Sequence, residues 1–372
     1  LSFDDGVAAA LTHVLLSPRF FLIGDETVDS TGPMLVDGYG IAERMALAIW
    51  NSVPDDALLA AAESGALNTL EGIRAEALRL MEDETRGERF LSTFIETTFD
   101  FPVASAVPLG LDDFGPEAEA LTADLRREAE LYIEHVFANN LPVSSLLRSD
   151  LTFLNQRLSE YYGIGEVTGD AFVEVSTVGS NRQTGLLTMG ATLVQEVDLI
   201  HRGVNVLQTY QCQSLEPPDP QVIEEGLARI PSDATAREEV AFRLSDAACS
   251  SCHRAIDPAG AAFEIFDEAG QPRESYEDGE SVYYTHEFYG ETVEGPEDLT
   301  AIVLEGRFTS CMSSQILGWA SFQRLSLGVL EERCAAQGLV AELGEDPGLR
   351  DLFANAFTTN TFRFRLADEA GQ

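Results

Sequence analysis

Apolar residues recur at helical spacing along most of the chain. In the segment 38–50, Ile41, Met45, Ala48 and Ile49 are three or four positions apart and share one face of a predicted helix. The same spacing predicts further helices over 7–16, 74–81, 87–98, 122–137, 153–162, 185–194, 202–212, 299–304, 313–330 and 349–357.

Helix start and stop signals divide this pattern. Pro18 ends the first predicted helix, and Gly65 and Gly163 end later ones, because glycine readily adopts the left-handed conformation that follows many helices. Thr235 and Glu238 have the spacing of a capping box and begin another helix.

Few segments show the alternation that is typical of strands. The segment 171–178 alternates and predicts one short strand, and 270–292 predicts loops with a small hairpin. The proline-rich 215–220 predicts an extended strap, and 257–260 predicts a tight turn. The fold class is therefore mainly α: a multi-helix body with minor β-hairpin and loop content.

Cys249, Cys252 and His253 form a C-x-x-C-H motif. Two thiols at this spacing match the two vinyl groups of one porphyrin, and the next residue, His253, is placed to ligate its iron. The motif predicts one covalently bound haem c, with His253 as the proximal ligand. Haem c is attached outside the cytoplasm, so the motif also predicts an exported, periplasmic or extracellular protein.

The motif has three other interpretations. A thioredoxin-like redox pair needs a βαβ context, and the flanking segments here read as helix or loop. A zinc site needs about four ligands, and the sequence has no second C-x-x-C or H-x-x-x-H. Chance occurrence is the third interpretation, because the motif is short.

The other cysteines are Cys212, Cys311 and Cys334. Export permits disulfides, and Cys311 and Cys334 flank the predicted 313–330 helix. We expect these two to pair, which leaves Cys212 as a buried thiol or as a partner of another chain or of a missing segment. The competing pairing joins Cys212 to either of them.

The charge balance excludes several classes of partner. The 372 residues include 63 acids and 23 bases, a net charge of −40, and every base is arginine. A phosphate backbone and an anionic membrane surface both require a basic footprint, so we expect neither nucleic acid nor membrane binding. No run of about 18 apolar residues predicts a membrane span. A basic redox protein is the partner that this charge favours.

Segments along almost the whole chain match one known family. They are Leu16 to Phe21, Asp37 to Tyr39 with Ile49 to Asp56, Leu154 to Leu158 with Tyr162 to Ile164, Gly185 to Met189, His201 to Gly203, Pro217 with Pro218, Cys249 to His253 with Asp257, Pro258 and Gly260, and Phe266 with Asp267 and Gly270. The chain resembles exported monohaem c-type cytochromes built from serial "domain of unknown function" modules, which are abundant in planctomycetes and myxobacteria. The resemblance implies a mostly helical body that carries one haem c and has a redox role.

We therefore expect three parts. They are a helical scaffold domain over 1–165, a haem c-binding module with the C-x-x-C-H motif over 166–275, and a C-terminal helical module over 276–372. The multi-helix body thus carries its haem c module towards the C-terminal side.

The second axial ligand of the iron is left open by the sequence. Met189 and His286 are the main candidates, Met312 and His201 are weaker ones, and an open coordination position is the alternative. An open position would allow peroxide or oxygen chemistry, whereas a closed one mainly passes electrons.

Three more residues are candidates for contact with the haem. Phe263 and Phe266 pack either on the porphyrin or in the protein core. Arg273, like Arg202, pairs either with a haem propionate or with a nearby acid.

The sequence favours an electron carrier over an enzyme, and it assigns no catalytic residue. One alternative is a haem-dependent oxidoreductase or peroxidase with an open iron site. The other is a surface or filament-forming subunit, a homo-oligomer that conducts between stacked haems.

Overall fold

The computed structural model describes residues 2–17, 34–83, 85–276, 279–283, 285–323, 325, 327–328 and 330–365. The predicted helix stop at Pro18 lies outside these residues. So does the 18–21 part of the first segment that carries the family resemblance.

The described chain is mainly helical, as predicted. Its α-helices are Phe3–Leu15, Gly38–Trp50, Asp56–Glu63, Leu70–Met81, Glu88–Thr98, Ala118–Ala138, Gln156–Tyr162, Gly190–Gln195, Leu199–Asn205, Pro220–Leu227, Ala236–Ser245, Ser250–Ala261, Pro296–Glu305, Phe308–Ala320, Leu330–Leu343, Leu349–Ala356 and Asn360–Arg363. Short 3₁₀ segments lie at Ala66–Asn68, Leu109–Glu117, Val143–Leu146 and Gly185–Leu187, and a π-helical turn lies at Val206–Tyr210.

The strands are short and pair antiparallel. Met34–Leu35 pairs with Phe364–Arg365, and His286–Phe288 forms the predicted hairpin with Glu291–Val293. The predicted strand within 171–178 is Val173–Ser176, and its partner is Leu151–Leu154. Part of that partner was expected to be helical, and the expectation was wrong because Thr152 and Leu154 alternate inward.

Two compact units make up the chain. The first comprises Leu1–Phe90, Ala320–Phe322 and Ala354–Gln372, and the second comprises Leu91–Trp319 and Gln323–Phe353. Nothing in this division tests the three predicted domains, which stay a prediction. Every candidate site residue from the sequence lies in the second unit.

The first unit is built around the Gly38–Trp50 helix. Its predicted apolar face is buried, as is Trp50, whose Nε1 donates to the Leu80 carbonyl at 2.9 Å. The Arg86 guanidinium lies 3.4 Å from the centre of the Trp50 ring. In the second unit, the predicted face of Ala118–Ala138 is buried in the same way.

Two predicted elements differ in the structure. The segment 257–260 is not a tight turn, because it continues the Ser250–Ala261 helix through Pro258. Proline removes one helical hydrogen bond, and burial of 256–261 offsets that loss. The predicted 313–330 helix ends at Ala320, where Phe322 takes a left-handed conformation and the Gln323 N–H donates to the Gly318 carbonyl.

The disulfide joins Cys212 to Cys311, so the expected Cys311–Cys334 pair is wrong. The Cα atoms of Cys212 and Cys311 are 5.3 Å apart, within the range that a disulfide requires. Cys311 is fully buried near the start of its helix. The helix that holds Cys311 ends at Ala320, and Cys334 lies on the separate Leu330–Leu343 helix. Cys334 is exposed and forms no disulfide.

Replacing both Cys212 and Cys311 by alanine should lower the free energy of unfolding by about 2–5 kcal/mol. The two cysteines are 99 positions apart, so the bond removes much of the freedom of the unfolded chain. Urea unfolding measures the loss, and Cys334→Ala is the control that should leave stability unchanged. A Cys311–Cys334 cross-link in a non-reduced digest would contradict the assignment.

Glu128 is a carboxyl group buried in the second unit. Its oxygens accept hydrogen bonds from the Thr152 and Tyr162 hydroxyls, and the Arg182 guanidinium lies over the Tyr162 ring at 4.1 Å. Burial raises the pKa of Glu128 from its ordinary 4.5 to about 7, although both hydroxyls and Arg182 act in the opposite direction. The folded protein therefore keeps a proton that the unfolded chain releases.

Between pH 4.5 and 7 this group should make stability fall as the pH rises. Its contribution is fully present below the unfolded pKa and is lost as the pH passes the folded one, a change of about 3 kcal/mol at most. Glu128→Gln should flatten that part of the curve of unfolding free energy against pH. Glu119→Gln, an exposed position on the same helix, should leave the curve unchanged, and an unchanged curve in Glu128→Gln would be the contradicting result.

Candidate functional site

The C-x-x-C-H motif occupies the start of the Ser250–Ala261 helix, called the site helix below. Cys249 is its N-cap residue, and Cys252 and His253 lie in its first turn. The Asp246 carboxylate begins the turn, because it accepts hydrogen bonds from the Ala248 N–H at 2.9 Å and the Cys249 N–H at 3.3 Å.

Both motif thiols are free and reachable. Cys252 is exposed, Cys249 is half-buried, and neither forms a disulfide. Burial, together with the Asp246 carboxylate, raises the pKa of the Cys249 thiol. A redox-active C-x-x-C pair needs a stabilised thiolate, so this environment disfavours the thioredoxin-like interpretation.

His253 is oriented by a buried carboxylate. Its Nδ1 lies 2.6 Å from Oδ1 of Asp257, one helical turn further on, and the Asp257 side chain is fully buried. Nε of Arg243 donates to the other Asp257 oxygen at 2.8 Å. A metal-binding histidine commonly uses one ring nitrogen for such a partner, which leaves the other, here Nε2, for the metal.

Sequence reasoning missed Asp257 and Arg243. Asp257 was assigned to a turn because a proline follows it, and the structure places it inside the helix. The four-residue spacing from His253 to Asp257 was a usable signal, since residues at i and i+4 of a helix are neighbours. Nothing in the sequence pattern pointed to Arg243.

Two glycines fix the site helix against the Leu199–Asn205 helix. A Cβ atom added to Gly260 would lie 1.8 Å from the Leu199 carbonyl oxygen, and one added to Gly203 would lie 2.1 Å from that of Ile256. Only glycine permits backbones to approach so closely. The position of the site helix therefore depends on this helix pair.

The Arg202 side chain connects the segments around the site helix through their backbone carbonyls. The buried guanidinium donates to five carbonyl oxygens, those of Leu193, Glu196, Phe263, Phe266 and Asp267. Burial lowers the pKa of Arg202 to about 10, so it stays charged at neutral pH. Among the described residues its hydrogen-bond partners are these backbone carbonyls and not an acid side chain, while pairing with a haem propionate stays a prediction.

Arg273 is paired with an acid. Its Nη2 lies 2.9 Å from Oε2 of Glu264, and its Nε donates to the Glu264 carbonyl at 2.8 Å. Phe263 and Phe266 follow the site helix and are buried, with Arg182 lying 5.0 Å from the centre of the Phe266 ring. Contact of these three residues with a haem stays a prediction.

His286 lies in the hairpin strand His286–Phe288, close enough to the site helix for Asp257 to act on its pKa. Burial lowers that pKa, and Asp257 raises it to a lesser extent. The centre of the His286 ring is 4.6 Å from the centre of the Tyr283 ring. The buried Nε2 of His286 has no hydrogen-bond partner among the described residues. These features keep His286 as a candidate for the second axial ligand.

The other candidate ligands lie in different surroundings. Met189 is buried at the N-cap of the Gly190–Gln195 helix, and Met312 is buried beside the disulfide residue Cys311. His201 is exposed, with Nδ1 2.7 Å from the Asp198 carboxylate. Ligation of iron by any of them stays a prediction.

Within the described part of the chain, no group of three or more His, Cys, Asp and Glu side chains is placed to hold a metal ion. The zinc interpretation therefore gains no support from the described side chains. In the same part of the chain, every helix is too short or too polar to cross a membrane.

Two family models match the chain in series. One is described as "PSD4: Protein of unknown function (DUF1592)" and matches residues 36–164. The other is described as "PSCyt3: Protein of unknown function (DUF1588)" and matches residues 182–276, which include the whole site helix. The two matches support the predicted family of serial modules.

No curated protein and no solved structure matches the chain significantly.

Proposed function

We propose that the chain is an exported c-type cytochrome that carries one covalent haem and transfers electrons. The observation that carries the proposal is the first turn of the site helix. There two free thiols stand beside His253, whose Nδ1 is held by Asp257 and whose Nε2 is left for a metal.

The residues fit the chemistry of haem attachment. Each thiol would add across one vinyl group of the porphyrin, with sulfur bonding to one carbon and hydrogen to the other. Cys249 and Cys252 are reduced and reachable for this reaction. His253 would ligate the iron, and haem c would supply reversible one-electron chemistry when bound.

Asp257 and Arg243 act through His253. The carboxylate holds the imidazole in one tautomer and orientation and makes it a stronger donor, and Arg243 in turn holds the carboxylate. A stronger donor favours oxidised iron, so this pair should set a low reduction potential.

The charge and the family descriptions support the same proposal. The label PSCyt of the second matching model is consistent with a cytochrome module. The net charge of −40 would steer the protein towards a basic redox partner. Haem c is attached outside the cytoplasm, so we place the protein in the periplasm or at the cell surface.

A haem-dependent oxidoreductase with an open iron site is the second candidate. The His253–Asp257 pair is the observation that favours it, because a strongly donating imidazole also suits iron that activates peroxide. The absorption spectrum distinguishes the two. Low-spin, six-coordinate iron supports the carrier, and high-spin iron that binds added ligands supports the oxidoreductase.

A redox titration of the purified protein, followed in the visible spectrum, tests the proposal. We expect one reversible one-electron transition per chain and exchange of electrons with a small basic cytochrome that slows as salt is added. An irreversible reduction, or turnover of peroxide without electron exchange between proteins, would contradict an electron carrier.

Asp257→Asn should raise the reduction potential. The change removes the negative charge beside His253 and weakens the donor, by roughly 60 mV if the equilibrium for one electron shifts tenfold. Asp198→Asn is the matched control, because Asp198 holds exposed His201 through the same kind of contact. A potential that is equal in both variants would rule out this role of Asp257.

A further inference from the structure

The Pro220–Leu227 helix presents apolar side chains to solvent. Val222, Ile223 and Leu227 are 41%, 46% and 63% exposed, although the helix is clearly amphipathic. Gly226 is its one buried residue. An amphipathic helix normally buries its apolar face, so the exposed apolar face of this helix is available for contact with a further group.

Gly226 shows which way the helix faces. A Cβ atom added to Gly226 would lie 3.5 Å from Sγ of Cys249, so this face of the helix lies against the motif thiol. Ile223 and Val222 precede Gly226 by three and four positions, which places them on the same face. The exposed apolar surface is therefore continuous with the proposed point of haem attachment.

An ion pair fixes the end of the same helix to the motif. Arg229, three positions after Gly226, places Nη2 3.0 Å from Oδ1 of Asp246. The Asp246 carboxylate accepts hydrogen bonds from the turn that precedes the site helix, including one from the Cys249 N–H. The Pro220–Leu227 helix thus lies next to Cys249, and the ion pair of Arg229 with Asp246 fixes its end there.

We infer that the Pro220–Leu227 helix is the apolar wall of the haem pocket, with Val222, Ile223 and Leu227 packing on the porphyrin beside the Cys249 thioether. The inference rests on the proposed function. A porphyrin is a large apolar surface, and its attachment to Cys249 brings it to this face. The helix carries no His, Met or Cys, so it excludes water from the haem and leaves axial ligation to other residues.

Hydrogen exchange tests this inference directly. Amides of 221–227 should exchange at least tenfold more slowly in the haem-loaded wild-type protein than in a Cys249→Ala, Cys252→Ala variant. Amides of the Asp56–Glu63 helix, which is of equal length and lies in the other unit, should exchange equally in both. If haem is attached to the wild type and the amides of 221–227 exchange equally in both proteins, this inference is overturned and the proposed function stands.

A second comparison uses only haem-loaded proteins. Ile223→Gln should alter the Soret circular dichroism and speed exchange across 221–227, whereas Leu59→Gln, at an exposed apolar position of the Asp56–Glu63 helix, should do neither. Unchanged Soret circular dichroism and unchanged exchange in Ile223→Gln would contradict the inference that this helix packs on the porphyrin. A wild-type protein with no haem would instead refute the proposed function, and the inference with it.

Discussion

Replacing both Cys249 and Cys252 by alanine is expected to leave a folded chain with no covalently bound haem. Each thiol provides one bond to the porphyrin, so the double variant loses both attachments. The site helix should keep its position, because Gly203, Gly260 and Arg202 hold it through contacts that involve neither thiol.

Intact mass measured under denaturing conditions distinguishes the proteins. The wild-type mass should exceed that of its polypeptide by one haem, and the double variant should show the polypeptide alone. Cys334→Ala is the matched control, since Cys334 is also free and exposed, and it should retain the haem. Haem that survives denaturation of the double variant would show that attachment occurs elsewhere.

Arg202→Met is expected to cause a large loss of stability. The guanidinium satisfies five backbone carbonyl oxygens in the interior, and methionine leaves them without that donor. Stranded buried acceptors cost about 1–3 kcal/mol each where no water reaches them, so we expect a loss of roughly 3–5 kcal/mol after relaxation.

Urea unfolding of the haem-loaded proteins measures this loss. Arg202→Lys should fall between the wild type and Arg202→Met, because an ammonium group keeps the charge but cannot reach all five carbonyls. Arg254→Met, at an exposed position of the site helix, should change stability by no more than about 0.5 kcal/mol. Equal losses in Arg202→Met and Arg254→Met would refute the structural role of Arg202.

The regular helices could be predicted from the sequence because their faces are set by local spacing. The Gly38–Trp50 helix and the face of Ala118–Ala138 follow from apolar residues three and four positions apart. The motif triplet could also be predicted, since its residues are adjacent and their chemistry is specific.

Features that depend on distant segments could not be predicted. Cys311 pairs with a residue 99 positions away, and spacing along a helix holds no information on such a contact. The Leu151–Leu154 strand needs a partner some 20 residues later, without which its few residues also suit a helix start. Arg202 binds carbonyls, which every residue possesses, so no side-chain pattern reveals its partners.

Asp257 illustrates the limit within the site itself. A proline after an aspartate usually indicates a turn, and tertiary packing overrode that preference by burying the end of the site helix. The interaction that orients His253 depends on Asp257 lying in the same helix, one turn further on.

The pyridine haemochrome spectrum of the purified, exported wild-type protein shows whether the chain carries haem c. We expect the spectrum of a c-type haem in a ratio of one haem per chain, and we expect acidified organic solvent to leave that haem on the protein. A preparation without a Soret band, or one whose haem is extracted by that solvent, would contradict this expectation.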